Sequence, residues 1–264
     1  LVALLRDRFG IDCRMVAREP SAGEAADARL LTLPEAAPPA TRVFRMLRCY
    51  AALAAGDVLA QTVNAFELTS DEAKRLAHRA LSSYTAAAMM MPYEPFLAFA
   101  EERRYDIEVL ANIFGVSFEQ AAHRLVTLRR PGSEGVPFGF LRVDRAGRLS
   151  KRFTLPGLVL PASGHGCLLW PAYRAFSSAG IVRQVSLLPS GARFLQLARQ
   201  VTKPVGGFHQ QPPTFAIMLS CDMLHSDRTV YGDGLDPQHA VVETGPSCLL
   251  CPRLDCAHRH DLPA

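Results

Sequence analysis

The sequence predicts an α+β protein in which a largely helical part precedes a part rich in short strands. Two observations support this prediction. Before residue 129, apolar residues recur at the spacing of three to four that is typical of helices. After residue 135, short apolar runs alternate with a period of two between glycines and prolines. The stretch RRPGSEG separates the two patterns, so we expect one domain over residues 1–130 and a second over residues 131–264.

The first domain is predicted to begin with a short helix in LVALLRDRFG and two strand-like runs, IDCRMVAR and ARLLTLP. Helices are then expected in TRVFRMLRCYAALAAG, SDEAKRLAHRALSSYTAAAMMM, YEPFLAFAEERR, DIEVLANIFG and SFEQAAHRLVTLRR. Ser70 is placed to cap the second of these, because a serine oxygen accepts a hydrogen bond from the first turn. Pro92 ends the same helix, since proline lacks the N–H that a further turn requires.

The last two helices flank Gly115 and have the length of a helix-turn-helix. A DNA-reading second helix usually exposes polar groups near its start, and this one offers Phe118, Glu119 and Gln120. The negative charge of Glu119 would face the DNA phosphates unfavourably. We therefore favour an internally packed helix pair over a DNA reader.

The second domain is predicted to open with a hairpin over residues 135–155, because Gly147 lies in a polar turn between two alternating runs. Further strands are expected in IVRQVSLLP, ARFLQLARQV, TFAIMLSCDM and HAVVET.

The composition is typical of a globular protein, with 264 residues, 49% of them hydrophobic and 20% charged. The apolar runs are too short to cross a bilayer and no signal-peptide pattern appears, so we expect a cytoplasmic protein without membrane contact. The 29 basic residues against 25 acidic ones permit an anionic ligand without requiring nucleic acid. Nearly all the basic residues are arginines, a bias that GC-rich coding also produces.

Seven cysteines, an odd number in a chain without a secretion signal, argue against a disulfide framework. Cys248-x2-Cys251 lets two thiolates point at one centre, and Cys256 follows closely in the tail. Three ligands leave a tetrahedral site or a cubane cluster one ligand short. The candidates outside this triplet include His165, His258, His260 and Cys221. Of these, Cys221 ends an apolar run, which suits a buried structural thiol.

Three stretches, RVFRMLRCYAALAAG, SSYTAAAMMMPYEPF and YDIEVLANIFGVSFEQAAHRL, resemble the ImmA/IrrE metallopeptidase-like domain. In that domain a helix carries H-E-x-x-H, whose two histidines bind zinc while the glutamate activates water. Here the corresponding residues 48–52 read Arg-Cys-Tyr-Ala-Ala. The resemblance therefore implies a degenerate domain without peptidase chemistry, and we expect no enzyme.

The later motifs extend the resemblance over residues 1–257. The run MPYEPFLAFAEERRYDIEVLANIF, then GCLLWPAYRAF, CDMLHSDRTVYGDGLD and GPSCLLCPRLDC, are similar to the short-chain fatty acyl transcriptional regulators. These are bacterial regulators of propionate, methylcitrate and glyoxylate metabolism. The resemblance implies a mixed α/β, cysteine-ligated sensor domain over residues 131–264 that senses acyl-coenzyme A. It also implies a homodimer that contacts DNA through an N-terminal helix-turn-helix, which this chain does not contain.

The resemblance also implies site residues. The motif GCLLWPAYRAF offers Cys167 as the fourth cysteine, so that Cys167, Cys248, Cys251 and Cys256 would hold a four-iron, four-sulfur cluster. Zinc with the same four ligands is the alternative, because all-thiolate coordination suits both. The sequence CLLW, where the family has Cys-Pro-Leu-Trp, departs from the pattern but keeps the cysteine.

For acyl-coenzyme A, the phosphates require cations and the acyl chain requires an apolar slot. Lys151 and Arg152 are the predicted phosphate contacts, and Tyr84 with the methionine run of residues 89–91 is predicted to line the slot. Core packing of the methionines and a solvated Lys–Arg pair are the simpler interpretations. The predicted function is acyl-coenzyme A- and redox-responsive transcription regulation, with a zinc-stabilised structural or protein-interaction module as the alternative.

Overall fold

The computed structural model describes residues 1–17, 29–162, 164–236 and 241–262, and it confirms the α+β class. The chain divides into two compact units. The first consists of Leu1–Tyr93, Phe114–Ser117 and Lys203–Pro212, and the second of Glu94–Ile113, Phe118–Thr202 and Pro213–Ala264. The predicted domain limits, residues 1–130 and 131–264, remain a prediction.

The first unit begins with helix α1, Val2–Phe9, which ends where Gly10 adopts a φ of 66°, a conformation that glycine enters without strain. Strands β1, Asp12–Val16, and β2, Leu30–Pro34, pair in parallel. Both strands lie within the runs predicted from the sequence. The ends of those runs at Arg18 and Ala28 lie outside the described residues.

Three helices complete the first unit: α2, Pro39–Ala54; α3, Gly56–Asn64; and α4, Asp71–Met90. The Ser70 Oγ accepts a hydrogen bond from the Ala73 N–H at 3.1 Å, which confirms the predicted cap. Helix α3 was not predicted. Its buried residues are Leu59 and Val63, which form too short a pattern to indicate a helix. The buried core that joins α1, β2 and α2 consists of Leu5, Ile11, Leu33 and Met46.

The second unit opens with helices α5, Tyr93–Glu102; α6, Ile107–Ile113; and α7, Phe118–Val126. Helix α7 ends earlier than predicted, because Arg129–Arg130 (β3) pairs with Ser133–Glu134 (β4) as a short antiparallel ribbon. Most of α7 is buried, which supports the packed-pair interpretation over a DNA reader. Its buried residues are Phe118, Ala121, Ala122, Arg124, Leu125 and Val126.

A six-stranded sheet forms the centre of the second unit, in the order β10-β7-β8-β9-β5-β6. Its strands are β5, Gly139–Asp144; β6, Leu149–Phe153; β7, Val182–Leu187; β8, Arg193–Thr202; β9, Thr214–Asp222; and β10, Val241–Glu243. Neighbours are antiparallel except β10 and β7. These strands match the predicted runs, although His239 and Ala240 of the last run lie outside the described residues.

The predicted hairpin is confirmed by the antiparallel pairing of β5 and β6 around a turn in which Gly147 has a φ of 82°. One face of the sheet is covered by the short helix α8, Pro171–Arg174, and by the buried Trp170 that precedes it. This packing fixes the segment just before Trp170 against the sheet. No helix in the described ranges is both long and apolar enough to cross a membrane.

Candidate metal centre and ligand groove

The four predicted cysteine ligands line one pocket in the second unit. Cys167 comes from the segment before α8, and the other three come from the C-terminal tail. The cavity between them measures about 20 Å³, room for one or two water-sized species. The other residues around it are Leu168, Leu169, Glu243, Gly245, Ser247, Arg253, His258 and Arg259. The structure thus brings together residues that are more than 80 positions apart in the sequence.

Hydrogen bonds tie the Cys167 segment to the start of the tail. The Cys167 N–H donates to the Pro246 carbonyl at 3.1 Å, and the Trp170 indole N–H donates to the Gly245 carbonyl at 3.1 Å. The Trp170 N–H donates to the Cys167 carbonyl at 3.0 Å and so closes a four-residue turn. The turn presents Cys167 towards the tail cysteines.

Two glycines permit this close approach. A Cβ on Gly166 would lie 1.9 Å from the Trp170 ring, and a Cβ on Gly245 would lie 2.7 Å from the Cys251 Sγ. Neither position has room for a side chain. The sequence stretches SGHGC and TGPSC therefore contain glycine because the two segments pack against bulky or sulfur-bearing neighbours.

Two arginines organise the tail, and sequence reasoning missed both. The Arg259 guanidinium donates to the carbonyls of Cys248 at 2.9 Å and Cys251 at 2.6 Å, and also to that of Arg253. Arg253 in turn donates to the carbonyls of Thr244 at 2.5 Å and Leu187 at 3.0 Å. A tail without helix or strand leaves its carbonyls in need of donors, and arginines interspersed with the cysteines were the available signal.

Burial raises the pKa of the Cys167 thiol, and the neighbouring thiols of Cys248 and Cys251 act in the same direction. Hydrogen bonds from the backbone N–H groups of Gly245 and Leu169 oppose the rise, because they favour the thiolate. Such N–H donors stabilise a thiolate and so suit a sulfur ligand of a metal. A bound cation would replace the thiol protons, so its binding would release protons.

The donor set fits a metal, but the coordination sphere is not assembled. In the described part of the chain, no group of three or more His, Cys, Asp or Glu side chains is placed to hold a metal ion as it stands. The cavity suits a single ion more readily than a cubane cluster. A cubane would require the tail to lie further out. The tail is at the surface, where Leu249 is 51% and Leu254 is 73% exposed.

The other candidate ligands occupy different positions. His258 lines the pocket, whereas the His165 Nε2 is hydrogen-bonded to the Ala146 carbonyl at 2.8 Å. Cys221 is fully buried in β9, and burial raises its pKa to about 12. Such a thiol is inert structural packing. His260 does not line this pocket.

The three predicted acyl-coenzyme A contacts are divided between the two units. Tyr84 is 43% exposed on α4 in the first unit, while Lys151 and Arg152 lie on β6 in the second. The Lys151 ammonium lies 5.7 Å from the Phe140 ring centroid, whereas Arg152, the next residue on the strand, points to the opposite face of the sheet. The assignment of all three to one site stays a prediction.

Arg152 lines a groove of about 480 Å³ together with Arg129, which the sequence did not single out. Arg152 donates to the Pro161 carbonyl at 2.6 Å, and Arg129 donates to the carbonyls of Phe138 and Thr154 at 3.3 Å. Within the described residues, neither guanidinium has a carboxylate partner. The rest of the lining is Phe153, Thr154, Leu160 and Ala162.

The residues that stand where the metallopeptidase helix has its zinc ligands serve packing. Cys49 and Tyr50 lie on α2 and pack on the core of the first unit, and the Tyr50 ring meets the Phe9 ring edge-on at 5.8 Å. Burial raises the pKa of the Cys49 thiol, with Cys13 contributing. No H-E-x-x-H occurs in the sequence.

Comparisons with known proteins agree with these features. The profile described as "Short-chain fatty acyl coenzyme A regulator, C-terminal" matches residues 127–264, and that of the IrrE N-terminal-like domain matches residues 6–126. A propionyl-CoA carboxylase regulator of Cereibacter sphaeroides is 40% identical over 257 residues, which is 97% of this chain and 55% of that protein.

Two regulators of Mycobacterium tuberculosis are also similar. The HTH-type transcriptional regulator RamB is 41% identical over 84% of this chain and 48% of its own length. The HTH-type transcriptional regulator PrpR is 35% identical over 98% of this chain and 54% of its own length. The chain thus spans about half the length of the curated relatives it matches.

A solved structure of a Mycobacterium tuberculosis transcriptional regulator shares the fold. It superposes with a TM-score of 0.87 at 33% identity and covers 99% of this chain and 81% of that one. These matches confirm the resemblance seen in the motifs. The chain belongs to the family of short-chain fatty acyl coenzyme A regulators, in which the regulator domain follows an IrrE N-terminal-like domain.

Proposed function

We propose that this chain is the sensor portion of a cytoplasmic transcriptional regulator that responds to short-chain acyl-coenzyme A, and that it is not an enzyme. The family description and the names of the relatives support the regulator role. DNA contact is assigned to an N-terminal helix-turn-helix outside this chain. Regulators of that kind read palindromic sites, so we expect a homodimer.

The arginine groove is the observation that carries the ligand assignment. Arg129 and Arg152 face it without carboxylate partners among the described residues, and guanidinium groups bind phosphate oxygens well. Phe153, Leu160 and Ala162 add apolar surface for the rest of a ligand. Its volume of about 480 Å³ falls within the roughly 300–1,000 Å³ of ligand pockets. A coenzyme A molecule matches this chemistry through its phosphates.

Isothermal titration of propionyl-coenzyme A and of free coenzyme A tests this assignment. We expect the double variant Arg129→Ala/Arg152→Ala to weaken binding of both by at least ~100-fold, because each of the two lost charged hydrogen bonds contributes about 1.5–3 kcal/mol and about 1.4 kcal/mol is a factor of ten. Arg145→Ala, a change in the exposed hairpin turn, is the matched control and should bind like the wild type. If neither propionyl-coenzyme A nor free coenzyme A gives a heat of binding with the wild type, the proposed sensor role is wrong.

We also propose that Cys167, Cys248, Cys251 and Cys256 hold a four-iron, four-sulfur cluster, which would make the sensor redox-responsive. Four thiols around one pocket, with backbone N–H groups directed at Cys167, support a metal centre. The choice of a cluster rests on the family resemblance. Zinc is the second candidate, favoured by the small cavity, and it would make the domain a structural or protein-interaction module.

Metal analysis of protein purified without oxygen separates the two candidates. A cluster gives a brown protein with broad visible absorbance, about four irons per chain and matching acid-labile sulfide. Zinc gives a colourless protein with about one zinc per chain. A chain that retains neither metal under these conditions would contradict both candidates.

A further inference from the structure

Buried polar side chains cross the inner face of the central sheet. Gln184 on β7 lies opposite Gln196 on β8, and Ser186 is on the same face of β7. Their exposed fractions are 4% for Gln184 and 0% for the other two. A buried amide without hydrogen bonds costs about 1–3 kcal/mol. The position of these groups in a sheet core therefore calls for specific partners.

The Gln184 amide uses both of its ends. Its Nε2 donates to the Leu169 carbonyl at 3.1 Å and to the Ser186 Oγ at 2.8 Å, while its Oε1 accepts from Arg174 at 2.8 Å. The Ser186 hydroxyl donates onward to the Gln196 Oε1 at 2.7 Å. Arg174 and Ser186 thus hold the amide in one orientation, with one N–H directed at Leu169.

Leu169 is the third residue of the turn Cys167–Trp170, which presents Cys167 to the tail cysteines. The tail side of this turn is fastened by the Pro246 and Gly245 carbonyls. The sheet side is fastened by Gln184 through the Leu169 carbonyl. Hydrogen bonds therefore hold the turn on both sides, and Gln184 provides the one that comes from the interior of the sheet.

We propose that Gln184 is a positioning residue of the cysteine centre: by fixing the Leu169 carbonyl, it holds the Cys167 sulfur in place for a metal shared with the tail. This inference rests on the proposed metal centre for its purpose. Groups that orient the ligands of a metal typically change metal affinity by about 10–100-fold when they are removed. Gln184 does not touch the cysteine sulfur and acts through the backbone of the turn.

The test compares three variants. Gln184→Glu keeps the shape and the acceptor for Arg174 but loses the donor to Leu169, and Gln184→Leu removes the amide altogether. Gln196→Leu is the matched control, because it breaks the same buried network without touching the turn. The first readout is the rate at which iodoacetamide labels Cys167 in metal-free protein, measured by peptide mass spectrometry with Cys13 as the internal reference. The second is the rate of metal release to a chelator.

We expect both Gln184 variants to label Cys167 at least about fivefold faster and to release metal ~10-fold faster, while Gln196→Leu stays within about twofold of the wild type in both. Equal labelling and release in Gln184→Glu and Gln196→Leu would overturn the positioning role and leave only a packing role. If the wild type binds no metal, the proposed centre fails, whereas the labelling of Cys167 still decides whether Gln184 holds the turn.

Discussion

His123 lies on α7 with its ring edge-on to Phe140 and Phe153, at centroid distances of 5.6 and 4.9 Å. Burial lowers the pKa of His123 to about 4, and nearby Lys151 acts in the same direction while Glu119 opposes it. Its Nε2 has no hydrogen-bond partner among the described residues. The native fold therefore holds this histidine in its neutral form.

This histidine makes the stability of the second unit sensitive to acid. Between pH 6.5 and about 4 the unfolded chain binds a proton that the native chain does not, so stability is present above pH 6.5 and is lost as the pH falls. The shift corresponds to about 3 kcal/mol. Urea denaturation at a series of pH values should show a flatter decline for His123→Met than for the wild type.

His209→Met, in an exposed loop of the first unit, is the control for this measurement and should follow the wild type. Parallel declines for the wild type and His123→Met between pH 6.5 and 5 would show that His123 is not buried as the fold places it.

Single residues also show which contacts can be predicted from the sequence and which cannot. The tail cysteines were found because their spacing is a recognised ligand pattern, whereas Arg259, Arg129 and Gln184 were not. Their hydrogen-bond partners are main-chain carbonyls well separated from them in the sequence, and no local spacing of residues predicts such a contact. Lys151 and Arg152 were assigned together because both supply positive charge near a strand end. Adjacent residues on a strand face opposite sides, and the assignment of both to one ligand stays a prediction.

At the scale of elements, the C-terminal tail is an irregular segment stabilised by arginine. Arg259 bridges the carbonyls of Cys248 and Cys251 and so fixes the turn between them. Arg259→Gln loses most of these donors, which should loosen the turn and speed metal release to a chelator by ~10-fold. Thermal unfolding of the sheet should change little, because the tail adds few buried apolar contacts.

Arg145→Gln, in the hairpin turn, should release metal at the wild-type rate. Wild-type release from Arg259→Gln would mean that the tail is held by the metal alone.

The elements themselves were predictable to different degrees. The hairpin of β5 and β6 follows from alternation around a glycine turn, whereas the long strands β8 and β9 follow from apolar runs bounded by turn residues. Helix α3 and the ribbon of β3 and β4 were not predicted. The helix has only two buried residues and each strand of the ribbon has only two residues, which is too few to form a recognisable apolar period. Helix α7 ends earlier than predicted because Arg129 and Arg130 pair in this ribbon instead of continuing the helix.

At the scale of the whole molecule, the α+β class was predictable because helical spacing dominates before residue 129 and short strand-like runs dominate after residue 135. The sequence did not show which helices pack together. The sequence patterns of α5, α6 and α7 resemble those of the earlier helices, but these three helices belong to the compact unit that contains the sheet. Helical periodicity indicates which face of a helix is buried and does not say against what. The order of the strands in the sheet could not be predicted from the sequence either. The expectation that Cys167 lies close to the tail cysteines therefore came only from the family resemblance.

The central claim is that Cys167 and the three tail cysteines converge on one metal centre. The most direct measurement is the metal content per chain, after purification without oxygen, of the wild type, Cys167→Ser and Cys13→Ser. We predict full and equal occupancy in the wild type and in Cys13→Ser, whose sulfur lies in the first unit, and loss of most of the metal in Cys167→Ser. Undiminished, equally tight metal in Cys167→Ser would contradict the claim.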